Sequence, residues 1–131
     1  MRKSIEVVIM DDGEEKHFLI TRMSAKATED WALELFFALA NTGVEVPKEF
    51  EELGFAAIAQ MGLSALGKIP YEKAKPLLDR MMDCVQIYPT PSDKRIVRAL
   101  TDEDIQEVTT RLQLKKEVFN LHTDFLKAAN P

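Results

Sequence analysis

The sequence predicts a mainly α-helical protein, a bundle of about four helices with an N-terminal β-hairpin and a candidate short third strand, hence a minor sheet. Three observations lead there. From Trp31 to Ala40 the only charged residue is Glu34, so a helix over this stretch is apolar on nearly every side and buried. The segment after Thr101, wound at about 100° per residue, is apolar on two opposite sides. Near the N-terminus, two alternating runs flank the step Asp12-Gly13, which supplies the positive φ angles of a tight hairpin turn.

The elements follow in order. Ile5, Val7 and Ile9 on one side of the turn, and Phe18 and Ile20 on the other, make the hairpin of residues 1–23. An isolated hairpin is unstable, so it must lean on helices or a third strand. A helix from Ala25 to Ala40 starts at the capping residue Ser24, has Glu29 and Asp30 near its positive end, and closes before Gly43. A second helical region is clearest from Gly54 to Leu66, where Gly54, Ala57, Gly62 and Ala65 permit close approach of a neighbour. A third carries the stripe Leu78, Met81, Met82, Val85, and it tolerates Pro76 only near its first turn. Residues 24–87 thus form a helical core. Two prolines, Pro89 and Pro91, mark a loop, and Ile96–Leu100 is the candidate third strand, within 88–100. The last helix, 101–128, opens on a capping-box pattern of Thr101 and Asp104. All of this fits a single domain over 1–131.

Bulk composition narrows the function. The chain has 131 residues, 46% hydrophobic and 30% charged, with a formal net charge of −5. An acidic balance argues against nucleic acid as the main ligand. The one cysteine, Cys84, excludes an intramolecular disulfide and suits a reducing compartment. Met1-Arg2-Lys3-Ser4 leads into no apolar run of the secretory kind. The most apolar stretch, Gly54–Leu66, is too short to cross a bilayer, so no membrane partner is expected.

Residues that could carry catalysis do not assemble. Cys84 with Asp83 and His122 is the one set resembling a nucleophile and base. Sequence neighbours on a helix point about 100° apart, and no basic cluster lowers the thiol pKa. Cys84 therefore reads as a small buried thiol and His122 as a hydrogen-bonded structural histidine. His17 and His122 lack chelating spacing. Asp11-Asp12-Gly13-Glu14-Glu15 lacks the alternating ligands and closing glutamate of a calcium loop. No glycine-rich phosphate loop occurs, and Trp31 with Phe36 and Phe37 reads as core rather than a ligand cage. The expectation is a non-enzyme without cofactor or metal.

The last helix supplies the binding argument. Ile105, Val108, Leu112, Phe119 and Leu126 fall on one side of it. Leu114, Val118, Leu121 and Phe125 fall on the other, with Lys116, Glu117, Asp124 and Lys127 between them. One apolar face serves the protein's own core and the other needs a cover, which predicts self-association or a protein partner. The face of Leu114, Val118, Leu121 and Phe125 is the first candidate, and Leu35, Phe36 and Leu39 the second.

Several patches occur in an order that resembles a known family. Phe18-Leu19-Ile20-Thr21-Arg22-Met23-Ser24-Ala25 leads into Glu29-Asp30-Trp31-Ala32. Asp104-Ile105 follows, then Leu114-Lys115-Lys116-Glu117-Val118-Phe119-Asn120-Leu121-His122, and finally Phe125. The chain resembles the tail assembly chaperones of long-tailed bacteriophages, in the small, unextended form encoded just before the tape-measure protein. The resemblance implies a protein of the host cytoplasm that coats the helical tape-measure protein, helps bring tail tube subunits to it, self-associates, and is absent from the mature virion. A structural head–tail joining or tail-completion protein is the alternative. A DNA-binding module around Gly67-Lys68-Ile69-Pro70 is disfavoured by the acidic balance.

Overall fold

A computed structural model describes the backbone of residues 2–41 and 62–129, and the side chains of 2–41 and 64–123. Strand β1 (Ser4–Asp11) and strand β2 (Glu14–Thr21) form the N-terminal hairpin, with Val7 opposite Phe18 and Asp11 opposite Glu14. Asp12 (φ 52°) and Gly13 (φ 78°) turn the chain. Both central residues lie in the left-handed region, the requirement of a two-residue turn matched to strand twist. Asp tolerates that region because its short side chain bonds locally, and Gly has no Cβ to clash.

Helix α1 (Ala25–Asn41) follows. Ser24 caps it, its Oγ accepting from the Ala27 amide at 3.2 Å. A 3₁₀ segment covers Gly62–Lys68, then come helix α2 (Tyr71–Met82), strand β3 (Val85–Tyr88), strand β4 (Arg98–Ala99), a one-turn 3₁₀ segment at Asp102–Asp104, and helix α3 (Val108–Ala129).

The four-helix bundle is therefore not the architecture. Among the described residues there are three α-helices and a four-stranded antiparallel sheet in the order β1-β2-β3-β4. The N-terminal hairpin is as expected. The main departure lies at Val85, which continues the helical stripe of Leu78, Met81 and Met82 but also begins the alternation Val85-Gln86-Ile87-Tyr88. The strand wins because β2 offers a partner. Thr21 donates its amide to the Cys84 carbonyl at 3.0 Å, Ile20 faces Val85 and Phe18 faces Ile87. Phe18, Ile20, Val85 and Ile87 are all buried, which rewards the β-branched pairs on one face.

Other boundaries move for local reasons. Pro76 lies inside α2 rather than in its first turn, so the Glu72 carbonyl receives no helical bond from residue 76. The third strand shrinks to Arg98–Ala99 and pairs with β3, not with the hairpin itself. The helix expected from Thr101 begins at Val108 because Ile105 is extended (φ −123°, ψ 127°). The Thr101–Asp104 motif closes the preceding 3₁₀ turn instead, with the Thr101 amide donating to Asp104 Oδ2 at 2.6 Å. The expected helix over Gly54–Leu66 lies outside the described residues up to position 61.

The chain holds two compact units: Met1–Arg22 with Arg80–Leu121, and Met23–Asp79 with His122–Pro131. The first holds the sheet, the 3₁₀ turn at Asp102–Asp104 and the first part of α3. The second holds α1, the Gly62–Lys68 segment and most of α2. In that second unit Trp31 is buried and donates its indole Nε1–H to the Leu77 carbonyl at 2.9 Å, so a large apolar ring enters the core without stranding a donor.

Candidate interaction site

In the sheet unit, a buried carboxylate sets the position of α3. Asp11 ends β1 and is fully buried. Its Oδ1 accepts from the Glu107 amide at 3.0 Å and the Thr110 hydroxyl at 2.8 Å. Its Oδ2 accepts from the Gln106 amide at 2.9 Å and from Lys16 Nζ at 2.7 Å. An acidic side chain from the hairpin thus caps the positive end of α3. Burial alone raises the Asp11 pKa, but the bonds from Lys16, Gln106, Thr110 and Glu107 outweigh it and hold the carboxyl well below the usual range. Lys16 also donates to the Asp104 carbonyl at 2.6 Å. Arg98 grips Asp104 through two bonds of 2.8 and 2.7 Å, and this guanidinium, ahead of the opposing effect of burial, depresses the Asp104 pKa.

This frame decides which face of α3 is turned outward. Leu114, Val118 and Leu121 are 0, 1 and 2% exposed. These three residues of the first candidate face are therefore core. The Phe125 side chain lies outside the described residues. On the other side of the helix Phe119 is buried, but Val108 and Leu112 are 74 and 58% exposed. They stand four residues apart, so they sit one above the other and form an outward apolar pair.

The second candidate group divides in the same way. Leu35 and Leu39 are buried, while Phe36 is half-buried and meets Phe37 edge to face at 5.5 Å between ring centroids. Phe37 is exposed, and so is Leu33 one turn before it. Sequence reasoning missed Leu33, Phe37, Val108 and Leu112 as an exposed set. Their i, i+4 spacing was visible; their outward direction was not.

The residues weighed for chemistry occupy separate places. Cys84 is buried, and desolvation, followed by the nearby charge of Asp83, pushes its thiol up to about 11. Its Sγ contacts the Arg80 carbonyl at 3.6 Å. A thiol in that state is a poor nucleophile. In the other unit His122 is buried, and its Nε2 accepts the Met23 amide at 2.9 Å. That acceptor role places the ring proton on Nδ1. His17 lies on the outer face of the sheet, 3.1 Å from Glu6 and 3.2 Å from Glu15. Lys94 reaches the same Glu6 carboxylate at 2.7 Å and crosses the Tyr88 ring at 4.3 Å, which holds the loop after β3 against that face. Among the described residues no three His, Cys, Asp or Glu side chains converge as a metal site. Among the same residues no helix is long and apolar enough to cross a membrane.

No family model, curated protein or solved structure matches the chain. The geometry is accordingly the chief guide to function: an acidic chain that presents paired apolar side chains on two helices.

Proposed function

We propose that this protein is a binding protein rather than an enzyme, a phage tail assembly chaperone that works in the host cytoplasm. It holds the helical tape-measure protein, delivers tail tube subunits to it, associates with copies of itself, and leaves before the virion is complete. The observation that carries the reading is the pair of outward apolar steps, Leu33 with Phe37 on α1 and Val108 with Leu112 on α3. An amphipathic client helix is recognised through apolar anchors at this spacing, and a net charge of −5 keeps such a surface dispersed. The ordered patches that resemble the chaperone family support the same reading.

The test is co-expression of the full chain with helical fragments of a tape-measure protein encoded beside it. Co-purification is expected, with loss of the client in Leu112→Asp and Phe37→Asp. A chain that ignores every fragment refutes the reading. Mass spectrometry of purified virions separates the roles: absence is expected of a chaperone, and stoichiometric presence would instead make this a head–tail joining or tail-completion component.

A further inference from the structure

The two edges of the sheet are unequal. At one edge β4 is 2 residues long and carries Arg98, a short charged edge of the kind that discourages pairing. At the other, β1 runs for 8 residues, Ser-Ile-Glu-Val-Val-Ile-Met-Asp, without Pro, Gly or Lys. Its one charge before Asp11 is Glu6, already engaged by Lys94. A two-residue turn makes Asp11 and Glu14 a hydrogen-bonded pair, so odd positions of β1 bond to β2. The bond from the Arg22 amide to the Lys3 carbonyl at 2.8 Å agrees with that phase. The N–H and C=O groups of Ser4, Glu6, Val8 and Met10 therefore point at the open edge. Among the described residues no other strand takes them, and the Val8 and Met10 side chains are 48 and 60% exposed.

We infer that this edge pairs antiparallel with β1 of a second copy, making one continuous sheet across a two-fold axis. The charge pattern of the strand selects that occupant. Arg2 and Lys3 precede β1, and Asp11 and Asp12 end it, so an antiparallel copy sets basic residues opposite acidic ones at both ends. With Val7 opposite its own counterpart, Ile5 faces Ile9, Glu6 faces Val8 and Arg2 faces Asp12. The four outward positions of each copy then exchange about eight backbone hydrogen bonds. Sliding the register by two residues either way is worse. One slide sets Glu6 against Glu6, like charges directly opposed; the other sets Ile5 against the buried carboxylate of Asp11. The inference rests on the self-association proposed above, though not on client binding, and it specifies the surface.

Sedimentation velocity on the full chain tests it, with a species of twice 14.9 kDa expected. Val8→Pro removes an amide that faces only the open edge. It raises the dimer dissociation constant at least about tenfold while the circular dichroism spectrum is unchanged. Val7→Cys forms a disulfide-linked dimer under mild oxidation, since facing residues at a non-hydrogen-bonded position lie within disulfide reach; Val8→Cys does not. A chain that is monomeric at all concentrations overturns the self-association and the edge together. A dimer that persists in Val8→Pro, with no cross-link at Val7→Cys, overturns the edge alone. If Val8→Pro fails to fold, the cross-link decides.

Discussion

The two apolar sides of α3 are nearly equal in sequence, yet the opening turns of one of them are left in solvent. Leu114, Val118 and Leu121 are buried, whereas Val108 and Leu112, of the same chemical kind, stand in solvent. Hydrophobicity does not separate them. The anchoring of the helix does: Asp11 binds the amides of Gln106 and Glu107 and the hydroxyl of Thr110. Those bonds fix the start of the helix, and with it the direction of the side chains in its first turns. A cap from 95 residues away thus leaves Val108 and Leu112 outward at the start of the helix, while Phe119, farther along the same side, is buried.

The comparison can be broken most severely at Val118. A charge at a site 1% exposed loses its hydration, so Val118→Asp is expected to abolish the cooperative thermal transition. A folded, merely dissociated Val118→Asp would put that face outside the core. Leu114→Ala is gentler and should cost about 2–5 kcal/mol in urea unfolding, from lost burial plus the cavity left behind.

Next in size is Asp11→Ala, expected to cost about 3 kcal/mol because it takes the carboxylate partner from Lys16 and leaves the first amides of α3 without their acceptor. The pH dependence carries the same signature. Asp11 and Asp104 are depressed in the folded protein, so each contributes stability above the unfolded carboxyl pKa of about 3.9. That stability is lost as pH falls from there through the folded values. Urea midpoints measured between pH 6 and pH 2.5 should fall, and fall less steeply in Asp11→Ala. The smallest effect is expected on the outer stripe. Leu112→Asp should change stability by no more than about 0.5 kcal/mol while removing client binding; a large loss of stability would mean that Leu112 is covered after all.

Much of the local structure was legible in the residues. The hairpin was readable because Asp12-Gly13 meets a backbone requirement that few dipeptides meet. The start of α1 was readable because Ser24 caps its own next turn. The candidate site was half legible: the spacing of its apolar residues could be counted, yet Leu114, Val118 and Leu121 of the first face singled out are buried. Val85 shows the same limit within one residue, since it satisfies a helical period and a strand period together.

What the sequence determined by itself is whatever depends on neighbours within a turn: the turn type, the cap of α1 and the existence of two stripes on the last helix. Such preferences are settled by backbone sterics and short-range hydrogen bonds, which local sequence encodes. Only the tertiary structure decided that Val85–Tyr88 would be a strand, that α3 would begin at Val108, and that Leu114 would point inward while Leu112 points out. Those outcomes depend on a paired strand and a buried carboxylate supplied from far along the chain, and their free energy appears only when the distant segments meet.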